Sequence, residues 1–452
     1  MGKRSSKQAE LWVASQKLKS PGHPFYQALN RLLHEANFDT EVELLCRPYF
    51  KDDGRPSTPP GVYFRMLMVG YFENIDSQRG IAWRCADSLS LKDFLGLAVD
   101  ERVPDHSNLT RMRQRLPFEV HEEVFEMVLG IASDKKLLHA KTVAVDSTYV
   151  EANAAMKSIV RKDTKEKYAE YARRLAEEEG GLEQPNDEEV RRFDRKRKNK
   201  KVSNKDWESP ADAESRIVRM KDGRTRLGYK FEHAVDLDSD LLVGAEVYSG
   251  DEADSKTLLE TLDRSRQHLR GTGRRKSFKI EEVVADKGYH STENLVELRK
   301  QTQRSYIPEA ERPHGRRWKP GMEEAKQAVY ANRRRVRRNK GRKLQKQRSE
   351  KTERTFVHVC DQGGGRRSWL RGLREIAKYH FVRCAARNLG VILRSILGFG
   401  KPKVANESMR ASCLALLALL RVLLYRLVTQ LEFVRSDCRS RSWDRTPRTY
   451  AA

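Results

Sequence analysis

Two short apolar runs in this chain each lead into an aspartate: "KTVAVDSTYVEAN" at 141–153, with Asp146, and "VVADKGYHS" at 283–291, with Asp286. The valines mark buried strands, and each strand is read as ending on its carboxylate. A lone aspartate in that place most often forms a turn or caps a helix. Two of them admit another reading. On neighbouring strands running the right way, the carboxylates would meet around one cation. Hard oxygen donors with open positions suit Mg2+, which keeps waters and accepts phosphate oxygens. A third acid would complete a site for two ions about 3.5–4 Å apart. Such a site activates a water or a 3′-hydroxyl and stabilises the departing oxygen. In-line displacement at phosphorus then asks the protein mainly for positioning and charge.

The elements that must position these acids follow from periodicity. Residues 228–264 read as two strands joined by a polar turn, then a helix from near Asp254. Residues 278–300 read as a strand, a glycine-containing loop and a helix capped by Ser291. Strands followed by helices predict an α/β core with a mixed sheet over 138–402. The preceding residues 22–135 have helical spacing. "PPGVYFRMLMVGYFENI" (59–75) opens with prolines suited to a first turn. "VPDHSNLTRMRQRLP" (103–117) reads as a turn and a helix capped by Ser107, studded with Arg111, Arg113 and Arg115. That is the shape of a helix-turn-helix presenting a basic helix to DNA. An ordinary surface helix with solvated arginines explains the spacing equally well. Residues 155–227, with a charged helix at 162–181 and a basic run at 191–207, read as an insertion into the α/β domain. A second basic block fills 331–356. Residues 403–452 are expected to hold an apolar helix at 413–431 and a disordered basic tail.

Charge narrows the partner. The chain of 452 residues has 89 Lys plus Arg against 64 Asp plus Glu, a net charge of +25. Neutralising phosphates releases counterions, so the surplus favours a polyanion. The six cysteines show no CxxC pair and no matching histidine spacing, which predicts cytosolic thiols rather than disulfides or a zinc site. No secretory h-region follows the first residues. The stretch 413–428 is interrupted by Arg421 and Arg426 and is too short to span a bilayer, so no membrane partner is expected.

"AVDSTYVEAN", "VVADKGYHS" and "EKTERTFVHVCDQGGGRRSWLRGLREIAKYHFVRCAARNLGVIL" together resemble the DDE transposases of bacterial insertion sequences, nearest to the insertion-sequence-five superfamily and its relatives with a longer insert between the first two aspartates. The Asp-Lys-Gly-Tyr loop is typical of them, and residues 22–117, closing on "PDHSNLTRMRQRL", resemble their amino-terminal domain. The resemblance covers roughly residues 22–402 and its motifs occur in order. It implies a ribonuclease-H-like core with a helical N-terminal DNA-binding domain, and Asp146 and Asp286 as first and second metal ligands. The third acid should lie on a later helix in a Glu-Arg-x-Phe segment, which "TERTF" supplies at Glu353. Glu350, one turn earlier, competes for the role, and Glu375 fits less well. Two Mg2+ ions, replaceable by Mn2+, are the implied cofactors. In two places the family's pattern is not met. Arg348 lies five residues before Glu353, and Cys360 stands where a lysine is common, so Arg366, Arg367 or Lys378 would have to substitute.

The expected function is therefore a DNA transposase. It binds terminal inverted repeats, nicks the element's ends with an activated water and joins the 3′-hydroxyl to target DNA. Its partner is double-stranded DNA, and it is expected to assemble as a dimer on it, in the cytoplasm of a bacterium and associated with the nucleoid. Lys287, Arg348, Arg354, Arg366 and Arg367 are read as phosphate or DNA contacts beside the three arginines at 111–115. A nuclease without strand joining, or an inert DNA-binding remnant acting as a repressor, are the alternatives. Lys287 could equally be an exposed loop lysine. Tyr289 and His290 could touch DNA, with packing as good a reading for the tyrosine. His233 is read as a core histidine, Trp207 as part of a small local cluster, and Asp236 and Asp254 as a turn and a helix start rather than catalytic acids.

Overall fold

The computed structural model describes residues 22–51, 57–198, 202–272, 278–310 and 318–405. The apolar helix at 413–431 and the basic tail expected from the sequence lie outside these residues. Before residue 135 the described chain is helical: α1 (Pro24–Glu35), α2 (Phe38–Cys46), α3 (Pro60–Phe72), α4 (Gln78–Ala86), α5 (Leu89–Phe94), α6 (His106–Arg115) and α7 (Phe118–Asp134). α3 starts with Pro60, as the prolines predict, and all of its residues are buried. The cap of α6 is not Ser107 but Asp105, whose carboxylate accepts from the backbone N–H of Ser107 (2.9 Å) and of Asn108 (3.0 Å). A carboxylate answers the positive end of a helix better than a hydroxyl does.

A mixed α/β region follows. β1 (Thr142–Glu151) leads to β2 (Val160–Arg161), α8 (Tyr168–Glu178), α9 (Asp187–Lys196) and β3 (Trp207–Glu208). β2 and β3 form a two-stranded sheet of their own. The basic run at 191–207 thus begins as a helix, capped by Asn186 and closed by the capping box to Glu189. Trp207 is buried against Tyr168 and Tyr171, the local cluster expected of it. Next come β4 (Arg216–Arg219), β5 (Thr225–Asp236), β6 (Leu242–Ser249), α10 (Asp254–Gly271), β7 (Glu282–Ala285), α11 (Thr292–Lys300), β8 (Arg304–Tyr306), α12 (Glu323–Arg337), α13 (Asn339–Phe356) and α14 (Leu373–Leu397). Ser291 caps α11 as predicted, accepting from the Asn294 N–H.

The main sheet runs β4-β5-β1-β7-β8, with β6 also paired to β5. β6, β5 and β1 are antiparallel neighbours, while β1, β7 and β8 are parallel. The sheet is therefore mixed, as the alternation of strands and helices predicts, and its order is consistent with a ribonuclease-H-like core. α14 is the central helix: Ile376 to Leu393 are buried without interruption, and it packs on α7, α3 and β6. Phe381 on α14 meets Phe118 and Phe125 of α7 edge to face, with ring centres 5.4 Å apart. One apolar core thus continues from the N-terminal helices into the sheet. α14 ends on Gly398 at φ +82°, a left-handed cap that glycine adopts without strain.

Candidate active site

β1 does not end on Asp146. The strand continues through Glu151, so this aspartate sits at its middle. Asp286 does follow directly on β7. The two strands are parallel neighbours, with Val145 opposite Ala285, so the next residue on each is an aspartate. The sequence reading required this juxtaposition and could not supply it.

α13 crosses over the pair. Arg348 Nη1 donates to Asp146 Oδ2 at 2.6 Å, and its Nη2 lies 3.6 Å from Asp286 Oδ1. The Thr352 hydroxyl, one turn further, donates to the same Asp146 oxygen at 2.9 Å. Gln345, one turn earlier, donates to the carbonyls of Ala285 and Tyr306 and fastens the helix to β7 and β8. Burial pushes the Asp146 carboxyl up, and Arg348, Thr352 and the Ser147 N–H counter it. A single arginine therefore bridges two converging carboxylates and offsets one of their two charges. Thr352 was missed in the sequence because a helical threonine carries no chemical signal; its spacing from Arg348, i to i+4, is the one clue.

Alternation along the strand sends Asp146 and its neighbour to opposite faces. Ser147 Oγ donates to Asp254 Oδ1 (3.0 Å) at the start of α10, so Asp254 lies behind the sheet relative to α13. That face holds a buried network. Lys230 and Glu232 are fully buried on β5, Thr257 and Thr261 bond to Glu232, and the Tyr289 hydroxyl donates to Glu232 at 2.9 Å. Tyr289 is thus a packing residue that anchors the loop after Asp286. Gly288 passes close over α10, where a Cβ would come 2.8 Å from the Asp254 carboxylate. Asp236 accepts from the His139 and Asp238 N–H groups and from Ser239, as a turn residue does.

The remaining site residues distribute as follows. Glu353 is exposed on α13 and makes no side-chain hydrogen bond or ion pair among the described residues. Its position is about 100° round the helix from Thr352. Glu350 pairs with Arg354, which also reaches Asp240 at 3.5 Å. Lys287 is exposed beside Asp286. Arg366 bonds to Asp361 and reaches the Thr148 hydroxyl, while exposed Arg367 bridges to Glu151 at the end of β1. Arg111 and Arg115 are exposed on α6. Arg113 is not: it is buried, pairs with Glu375 and stacks over Trp369, joining α6 to α14. Lys378 is committed to the same joint through Glu375 and the Arg113 carbonyl. An alternating run of arginines on a helix cannot all face outward, and the middle one serves the interface.

Paired carboxylates on adjacent parallel strands, under a helix that carries an arginine to them, offer the donors that a divalent cation serving phosphodiester chemistry would need. The Transposase DDE domain family matches residues 141–389, more than half of the chain, and the Transposase domain (DUF772) family matches residues 13–115. The chain belongs to the DDE transposases of insertion sequences, enzymes that cleave DNA and transfer its strands. Membership implies dependence on a divalent cation, typically Mg2+, and DNA as the partner. The donor set fits such an ion: both aspartates are hard oxygen ligands, and Arg348 already holds a positive charge between them. No curated protein and no solved structure matches the chain. Among the described residues, no helix is long and apolar enough to cross a membrane.

Proposed function

We propose that this transposase binds the terminal inverted repeats of its element, cleaves at the element's ends and joins the freed 3′-hydroxyls to target DNA, with Asp146, Asp286 and Glu353 as its catalytic acids. The observation that carries the reading is the meeting of Asp146 and Asp286 on adjacent parallel strands, bridged by one arginine. Glu353 follows Thr352, whose hydroxyl is already on Asp146, and among the described residues no ion pair holds its exposed side chain elsewhere. The three acids would hold two Mg2+ ions, or Mn2+ in their place, which when bound supply an activated water or 3′-hydroxyl and stabilise the leaving oxygen. Arg348 offsets part of the acid pair's charge beforehand and is then free to meet a phosphate. Lys287 stands beside Asp286, Arg366 reaches Thr148 two residues past Asp146, and Arg367 reaches Glu151 at the end of β1; these cations would meet the DNA flanking the scissile phosphate. Residues 22–135, with Arg111 and Arg115 outward, would read the repeats, and 138–402 would form the catalytic domain with 155–227 inserted. The net charge of +25 suits a protein that stays on DNA, as a dimer spanning two ends.

The test uses purified protein and linear DNA carrying the element ends, with and without Mg2+, with products resolved strand by strand. Asp146→Asn, Asp286→Asn and Glu353→Gln should each abolish cleavage while gel shifts persist. Equal cleavage by any one of them removes that residue from the assignment. Cut DNA with no joined product would make the enzyme a nuclease, and binding by the native chain without cleavage would make it an inert binder.

A further inference from the structure

Behind the active-site helix lies a group of side chains that DNA chemistry does not use. His233 on β5 is the cross-strand partner of Asp146, and it is fully buried. Its Nε2 lies 3.1 Å from Nε2 of His380, and Cys384 Sγ lies 3.9 Å and 3.6 Å from those two nitrogens. His380 and Cys384 are one turn apart on α14 and both are buried. These three donor atoms are close enough to share one ion.

Proton accounting places one proton, or one cation, between the two histidines. The Thr355 hydroxyl donates to the Thr352 carbonyl (2.8 Å), so it accepts from His233 Nδ1–H (2.8 Å). Neutral His233 therefore turns the lone pair of Nε2 towards His380. His380 Nδ1 is buried with no hydrogen-bond partner among the described residues. With its proton on Nε2, His380 donates to His233 across 3.1 Å; with the proton on Nδ1, two lone pairs face each other, which is the second case. A cation between the two Nε2 atoms relieves that second case. The spacing suits it. A tetrahedral zinc with ordinary bond lengths puts two imidazole nitrogens about 3.3 Å apart and a nitrogen and a thiolate sulfur about 3.6 Å apart.

We propose that His233, His380 and Cys384 bind one zinc ion that ties the central helix to the sheet beside the active site. Two imidazoles and a thiolate are the donors zinc prefers, and the oxygen-seeking Mg2+ of the active site has no claim on them. Three protein donors are in place, and a water takes the fourth position. The ion would act through Thr355, which links His233 to the helix carrying Arg348 and Thr352. It positions the site and takes no part in the reaction, so the inference stands apart from the assignment of the catalytic acids.

Full-length protein from zinc-supplemented cells, passed over a desalting column in excess Mg2+, should retain about one zinc per chain by mass spectrometry, because all three protein donors are buried. The double variant Asp146→Asn with Asp286→Asn should retain it equally. Cys384→Ser and His380→Gln should lose it. Cobalt(II) loaded by refolding should give a thiolate-to-cobalt charge-transfer band that Cys384→Ser lacks. Folded native protein without zinc that also fails to develop the cobalt band overturns the proposal, as does zinc retained by both ligand variants. The native-protein measurements decide the matter even if a variant does not fold.

Discussion

Replacing Arg348 by glutamine removes the charge that holds Asp146 and Asp286 together. Its side chain is 13% exposed and that of Asp146 is 22% exposed, so the closer pair is largely desolvated. Breaking a buried pair on one side costs about 3–5 kcal/mol, because a charge is left behind. Asp286 is half exposed and 3.6 Å away, so its share is close to the 0–1 kcal/mol of a surface pair. Without divalent cation, Arg348→Gln should therefore lower stability by about 3 kcal/mol in urea unfolding. Mg2+ should return part of this. The arginine competes with the cation for the same oxygens, so the variant should bind Mg2+ more tightly. Tenfold tighter binding would give it about 1.4 kcal/mol more stabilisation than the native chain gains at high Mg2+. Urea curves for both proteins, with and without Mg2+, measure the two increments. Equal increments would refute the idea that the arginine and the cation share one place, and with it the metal-site reading of the aspartate pair.

Two further predictions concern the frame. Phe381→Ala would empty the contact between α14 and α7 at a fully buried position and should cost about 3–5 kcal/mol by calorimetry or denaturant titration. His121 is buried on α7 and accepts from Tyr63, and burial lowers its pKa from 6.5 to about 3 against the opposing effect of its Nδ1–H bond to the Pro117 carbonyl. The unfolded chain takes up this proton below pH 6.5 and the folded chain does not. Stability from this residue is complete above pH 6.5 and is lost as pH falls towards 3, by up to about 1.4 kcal/mol per pH unit. Denaturation between pH 7 and pH 5 should show a shallower loss in His121→Gln than in the native chain.

The elements that carry the acids were legible because their valine runs and turn residues act locally. β5, β6, β7 and α11 fall where periodicity placed them, and Ser291 caps as expected. What depended on tertiary contact was not legible. The length of β1 beyond Asp146 is set by pairing with β5, which carries the strand through Glu151. Asp105 outcompetes Ser107 as a cap only because the turn from Pro104 aims its carboxylate at the free N–H groups. Arg113 looks like its neighbours in sequence, and only the approach of α14 turns it inward. The site itself was half visible. Two aspartates could be picked out, but nothing local shows that Thr352 joins one of them, or that His233, His380 and Cys384 meet from places 147 and 4 residues apart.

The tether of Tyr289 to Glu232 reaches beyond its own hydrogen bond. Lys287 stands on a short arc pinned at one end by the strand and at the other by a tyrosine sunk through to the far layer. Its backbone lies in a single short turn between these two anchors, so the reach of its cationic tip is set by its own side chain. On the proposed assignment a duplex would be brought to this point by the rest of the molecule, and where the strand is cut would follow from how the incoming helix is seated.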